Sequence, residues 1–123
     1  MNNLLLIIED NEQNMYMMRF LLEKNGFTVV GTQDGKTGVE MAKHLLPQAI
    51  LLDIQLPEMD GYTVAAELKK DPALKMIPII AVTSYAMVGD REKIIAAGAT
   101  GYIEKPINPE TFVTEIMSYL PKI

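Results

Sequence analysis

The stretch Ala49-Ile50-Leu51-Leu52-Asp53-Ile54-Gln55-Leu56-Pro57-Glu58-Met59-Asp60-Gly61 decides the fold. Four apolar residues run without alternation into a carboxylate, and a turn marked by Pro57 and Gly61 follows at once. An unbroken apolar run of this length marks a strand covered on both faces, as in parallel sheets sandwiched between helices. Asp53 then stands at the C-terminal end of a central strand, the edge where open α/β sheets place their ligands and chemistry. Taken alone, an Asp in this place can equally be the N-cap of the next helix. What the other strands deliver to the same rim decides between the two.

Working outward, Leu4 to Ile8 repeats the design, a buried run that ends in Glu9-Asp10. A helix follows, capped by Asp10 or Asn11. Its pairs Met17/Met18 and Leu21/Leu22 form one inward stripe, and Gly26 stops it. Thr28 to Thr32 reads as a short strand and Asp34-Gly35 as a turn. A helix carrying Val39, Met41, Ala42, Leu45 and Leu46 then ends before Pro47. Beyond the central strand, Tyr62 to Lys70 is helical with Val64, Ala65 and Leu68 inward, and Asp71-Pro72 closes it. Pro78 to Thr83 is another two-sided strand, and a helix from about Val88 to Ala97 stops at Gly98. Thr100 to Glu104 is the last strand and delivers Lys105 just before Pro106. Pro109 to Leu120 forms the final helix, with Phe112, Val113, Ile116 and Leu120 on one face. Five alternations of strand and helix imply an α/β architecture: a parallel sheet with helices on both faces, joined by right-handed crossovers.

Parallel strands all end on one edge, so Glu9, Asp10, Asp53, Thr83 and Lys105 converge there. Carboxylates about 5 to 6 Å apart repel by roughly 3 kcal/mol per pair at an effective dielectric near 20, so such a cluster asks for a cation. The donors are hard oxygens with neither His nor Cys among them, which points to Mg2+. Two carboxylates for the ion, a third as nucleophile, a hydroxyl and an ammonium make a set suited to phosphoryl transfer onto Asp53.

The motifs Ile8-Glu9-Asp10-Asn11, Leu52 to Pro57 through Asp60-Gly61, Ala81-Val82-Thr83-Ser84, Ala97-Gly98-Ala99 and Tyr102-Ile103-Glu104-Lys105-Pro106 resemble two-component response-regulator receiver domains. The resemblance spans the whole chain. It is nearest to stand-alone receivers of the DivK kind and to the receivers of hybrid kinases, partly through Ala86-Met87 and Gly89-Asp90. It implies a flavodoxin-like, CheY-like fold with strand order 2-1-3-4-5, residues 1–123 forming one receiver domain with no output domain. By position, Asp53 resembles the phosphoacceptor. Glu9 and Asp10 resemble the acid pair that binds Mg2+ directly or through water, and Gln55 the residue whose backbone carbonyl completes the metal shell. Thr83 and Lys105 resemble the switch hydroxyl and the phosphate-contacting lysine. Tyr102 resembles the switch aromatic that turns inward after phosphorylation, and the Lys105-Pro106 bond is expected to be cis. Glu9 stands where Asp is commoner, which bears on how the metal is reached.

The implied donor is a phosphohistidine on a sensor histidine kinase or a histidine phosphotransfer protein. It would approach over Asn11, Asn14 and the Leu56 to Met59 loop. The implied output is a protein target on the face of the fourth helix, fifth strand and fifth helix, the receiver being a monomer or a phosphorylation-dependent dimer. The implied class is a phosphoacceptor that promotes its own phosphorylation and dephosphorylation, not a conventional enzyme. Tyr85 is expected to shield the phosphoryl group. Tyr16 and Phe20 read as an outward aromatic pair on the first helix, and His44 as a solvated residue near a helix C-terminus.

The totals narrow the alternatives. With 123 residues and 49% hydrophobic content the chain suits one domain with one core. A net charge of -5, with Lys and Arg scattered, offers no basic face for nucleic acid. Cysteine is absent, so there are no disulfides or thiolate metal sites. The apolar run near the start is too short for a signal or membrane span and has no basic flank, so the expectation is a cytoplasmic protein. A haloacid-dehalogenase-type phosphatase wants a second Asp where Gln55 stands. A flavodoxin wants a phosphate cradle where Glu9-Asp10-Asn11-Glu12 would repel an anion.

Overall fold

In the computed structural model, which describes residues 3–56, 59–84 and 88–120, strand and helix alternate along the whole chain. The order is β1 (Leu4–Ile8), α1 (Glu12–Lys24), β2 (Thr28–Thr32), α2 (Gly35–Leu45), β3 (Ala49–Asp53), α3 (Gly61–Lys70), β4 (Ile79–Thr83), α4 (Val88–Ala96), β5 (Gly101–Glu104) and α5 (Phe112–Tyr119). The strands form one parallel sheet in the order β2-β1-β3-β4-β5, as the resemblance implied. The expectations placed on Pro57, Tyr85, Ala86 and Met87 lie outside the described residues.

Alternation along the strands divides the apolar core between the two faces of the sheet. Leu6, Ile8, Ile50, Leu52, Ile79 and Ala81 point to the face covered by α2, α3 and α4, through Val39, Ala42, Val64, Leu68 and Ile94. Leu5, Ile7, Leu51, Ile80 and Val82 point to the other, covered by α1 and α5 through Met18, Leu22, Phe112 and Ile116. All five residues of β3 are buried, as are all five of β4, because these strands lie inside the sheet with helices on both sides. Burying one such Leu or Ile contributes about 1.5–3 kcal/mol, so the unbroken runs read in the sequence are the main source of stability.

Local signals set the helix ends. Asn11, rather than Asp10, caps α1: its side chain accepts from the Asn14 N–H at 2.9 Å. Gly26 follows with φ +93°, a left-handed conformation that glycine adopts without strain. Asp34 and Gly35 are not a free turn. Asp34 caps α2 by accepting from the Thr37 N–H and hydroxyl, and Gly35 opens the helix. Leu45 and Leu46 lie outside the core at 40% and 47% exposure, because α2 ends in a left-handed residue at Leu46 (φ 47°) that turns the chain outward ahead of Pro47. Asp60 caps α3 through the Thr63 N–H. The final helix starts at Phe112, later than the sequence suggested. Pro109 lies in a preceding turn in which the Asn108 carbonyl accepts from the Thr111 and Phe112 N–H groups.

Candidate functional site

The sheet order reverses between β1 and β3: from β1 the chain goes to β2 on one side and later returns to β3 on the other. A crevice opens at such a switch point beyond the carboxyl ends of the strands. Glu9 and Asp10 follow β1, and Asp53 ends β3. Their carboxylates converge there, with one oxygen from each lying within 4.8 Å of the others. Glu9 and Asp53 are buried at 1% and 2% exposure, while Asp10 faces solvent.

Lys105, placed just beyond β5, reaches back across the sheet end. Its Nζ stands 3.0 Å from Glu9 Oε1 and 3.3 Å from Asp53 Oδ2. Backbone geometry fixes the loop: the Lys105 N–H donates to the Thr83 carbonyl at 2.8 Å, and the Lys105–Pro106 peptide is cis. Thr83 is fully buried at the end of β4, in register with Glu104. Gln55 donates its backbone N–H to Asp53 Oδ1 at 2.8 Å, and Asn11 donates its own to Glu9 Oε2 at 3.1 Å. Gly61 comes back under β3, donating its N–H to the Ile54 carbonyl at 3.0 Å. A Cβ there would lie 2.5 Å from Ile54 Cα and 2.7 Å from the Asp53 carbonyl oxygen, so the loop below Asp53 closes only on glycine.

The electrostatics fit a cation. Burial first, then the hydrogen bond and negative charge of Asp53, push the Glu9 carboxyl up from 4.5 to about 7, against the opposing pull of Lys105 and the Asn11 N–H. Burial alone would depress Lys105, but its two carboxylate neighbours outweigh that and hold its ammonium above the ordinary lysine value. One lysine does not satisfy the group: Glu9 Oε1 is enclosed, with the Lys105 ammonium at 3.0 Å as its ion-pair partner, and that one cation is shared with Asp53. An all-oxygen set with an unsatisfied buried carboxylate suits a hard divalent ion.

A family profile for the response regulator receiver domain matches residues 5–117. The chain belongs to the response-regulator receiver family. It is 45% identical over 115 residues to the polar-differentiation response regulator DivK of Brucella anthropi, a match covering 94% of each chain. Among solved structures, it resembles the receiver domain of a sensor histidine kinase from Pseudomonas aeruginosa, with 31% identity, TM-score 0.88 and coverage of 97% and 98% of the two chains. In that domain a magnesium ion is coordinated in the active-site cleft. It also resembles the chemotaxis protein CheY4 of Vibrio cholerae, with 25% identity, TM-score 0.92 and coverage of 98% and 100%. The chain is thus a DivK-like receiver of two-component signalling. Receivers bind Mg2+ at an acidic pocket and serve as phosphoacceptors rather than conventional enzymes, and the Glu9-Asp10-Asp53 cluster fits such a site.

Among the described residues, Glu9, Asp10, Asp53, Gln55, Thr83 and Lys105 lie at the C-terminal edge of the sheet, and Tyr102 lies on the strand that leads to it. Sequence reasoning missed that Lys105 pairs directly with Glu9 as well as Asp53. It also missed the company of Tyr102: this ring is half-buried against the α4 side of the core, with the Arg91 guanidinium 5.1 Å from its centroid. Glu104, two residues on and hence on the same strand face, was the available signal for that contact. A separate cavity of about 430 Å3 lies on the β5–α5 side, lined by Tyr102, Glu104, Asn108, Thr111, Glu115 and Tyr119, and none of the three clustered acids borders it. Tyr16 and Phe20 stack outward on α1 at 6.3 Å, and His44 is exposed. Among the described residues no helix is long and apolar enough to cross a membrane.

Proposed function

We propose that this receiver accepts a phosphoryl group on Asp53 from a phosphohistidine, in the cytoplasm, and signals through the changed surface of residues 1–123. The P–N bond of the donor breaks as an Asp53 carboxylate oxygen forms a P–O bond. The electron pair returns to the imidazole nitrogen, which takes a proton from solvent. The observation that carries this reading is the Lys105 ammonium 3.3 Å from Asp53 Oδ2, at a rim that also holds Glu9 and Asp10. Glu9, Asp10, Asp53 and the backbone carbonyl of Gln55 would hold Mg2+, which when bound neutralises charge on the transferring oxygens. The Gln55 N–H and Lys105 orient the Asp53 carboxylate, and Lys105 offers a cation to the phosphoryl oxygens. Thr83 supplies a hydroxyl to the same group, and Tyr102 turns inward toward it.

The donor is a sensor histidine kinase or histidine phosphotransfer protein, docking at the rim near Asn11 and Asn14. The target binds the face of α4, β5 and α5, either to a monomer or to a dimer formed on phosphorylation. Promotion by the receiver of its own phosphorylation and dephosphorylation belongs to the same reading. Incubation with acetyl phosphate, with and without Mg2+, tests it by intact mass. Wild type should gain one phosphoryl group only with Mg2+, and Asp53→Asn none. An unmodified wild type, or an Asp53→Asn variant modified to the same extent, would overturn it.

A further inference from the structure

The α4 helix is lightly held by apolar packing, with Ile94 its one fully buried side chain among the described residues. Charged side chains reach from it to two tyrosines. Lys93 Nζ lies 4.5 Å from the Tyr62 ring centroid on α3, and the Arg91 guanidinium lies 5.1 Å from that of Tyr102 on β5. The second contact is anchored further. Arg91 Nη2 donates to Glu104 Oε1 at 3.2 Å, and Glu104 shares the strand face of Tyr102. A planar guanidinium can stack on a ring and pair with a carboxylate at once, so the acid keeps the cation over the aromatic. The sheet neighbour of Tyr102 in register on β4 is the small Ala81, and the next pair on the same face, two residues on, is Thr83 with Glu104. A ring that swung toward Thr83 would leave the guanidinium behind.

The geometry points to Arg91 as a positioning residue that, with Glu104, latches the half-buried Tyr102 ring in its present orientation and so sets how much of the unphosphorylated receiver rests in the inward form. The inference rests on the reading of Tyr102 as the residue that turns inward on phosphorylation. The latch acts on the resting equilibrium and leaves the chemistry at Asp53 alone, since neither Arg91 nor Glu104 touches the carboxylate cluster. An exposed cation–π contact is worth a factor of about two to five in an equilibrium constant, and that is the expected rise in the inward population when the cation is removed.

The test is fluorine NMR of the full chain carrying fluorotyrosine, with the Tyr102 signal assigned by Tyr102→Phe, before and after beryllofluoride with Mg2+ as a phosphoryl mimic. In wild type the mimic should move the Tyr102 signal. In Arg91→Ala the signal should already lie part-way to that position without the mimic, Arg91→Lys should restore most of the wild-type shift, and Glu104→Gln should fall between. Arg91→Ala and Glu104→Gln signals that coincide with wild type before the mimic, yet move with it, overturn the latch and leave the inward turn standing. A wild-type Tyr102 signal that ignores the mimic overturns both. Glu104→Gln keeps the helix side chain intact, so it decides the matter if Arg91→Ala fails to fold.

Discussion

Lys105 Nζ and Glu9 Oε1 face each other at 3.0 Å across the C-terminal edge of the sheet, the ammonium 13% exposed and the carboxylate 1%. They come from opposite ends of the chain, one following β1 and the other β5, and Asp53 of β3 lies between their strands. This lysine is shared between two buried carboxylates, so its single charge is divided. Burial first, and then the neighbouring Asp53, is why Glu9 holds its proton up to about pH 7 when no metal ion is bound.

That retained proton makes stability depend on pH. A carboxyl raised from 4.5 in the unfolded chain to about 7 in the fold binds protons more tightly when folded, so stability falls as pH rises between those values and levels off above. At about 1.4 kcal/mol per unit, the loss is at most about 3 to 4 kcal/mol. Asp34 acts with the opposite sign and lower on the scale: the Thr37 N–H and hydroxyl hold it down, so its contribution disappears only as pH falls through the acid range. Urea unfolding at pH 5, 6, 7 and 8 in chelator should show a decline from pH 5 to 7 that flattens towards pH 8, and Mg2+ should stabilise more at pH 8 than at pH 5. Stability that rises from pH 5 to 8 in chelator would refute the crowding.

Asp53→Asn removes one of the crowded charges while keeping a side chain that can accept from the Gln55 N–H. The loss of attraction to Lys105 is offset because that lysine is left to Glu9 alone. In metal-free buffer at pH 8 the variant should melt higher than wild type by about 4 °C, the shift that ~1 kcal/mol produces in a domain of this size. Saturating Mg2+ should erase or reverse the difference. A lower melt in chelator would count against the repulsion.

Much of this site was legible in the sequence because apolar runs without alternation are hard to read as anything but covered strands. Each such run carried its next residues to the shared edge, Glu9 and Asp10 after Ile8 and Asp53 after Leu52, while the short last strand brings Lys105 there from just beyond Glu104. Caps and turns were less legible. Asp34-Gly35 has the composition of a turn, and only the Thr37 N–H and hydroxyl in place make Asp34 a helix cap. Leu45 and Leu46 fit an inward stripe by spacing, yet the left-handed residue at the end of α2 takes them out of it. Side-chain pairings between elements, such as Arg91 with Tyr102 and Glu104, depend on how α4 lies against β5, which periodicity does not encode.

Tyr102→Ala separates output from chemistry. Its ring packs against the α4 side of the core and does not touch the carboxylate cluster. Acetyl phosphate with Mg2+ should phosphorylate the variant to within about twofold of wild type. The ratio of target affinities for phosphorylated and unphosphorylated receiver should fall several-fold, as expected when the element carrying the two-state change is removed. Mass spectrometry and binding titrations read the two quantities separately. Equal loss of both would remove the switching role.

Gly61→Ala tests whether the loop beneath Asp53 is as tightly closed as its backbone contacts imply. The added methyl would meet Ile54 Cα at 2.5 Å and the Asp53 carbonyl oxygen at 2.7 Å. Both are main-chain atoms of β3 or its continuation, so no side-chain rotation relieves the overlap. Either the Gly61 N–H bond to the Ile54 carbonyl opens or the end of β3 shifts. Overpacking of this kind costs about 1–3 kcal/mol, and here the displacement falls on the backbone that aims the Asp53 carboxylate. The variant should therefore lose phosphorylation rate by more than its stability loss explains, measured with acetyl phosphate at a temperature where it is still folded. Gly89→Ala is the control, because a Cβ there meets nothing within 4 Å in α4, so it should leave the phosphorylation rate unchanged and raise stability slightly. If Gly61→Ala phosphorylates at the wild-type rate while folded, the position of Asp53 does not depend on that close approach.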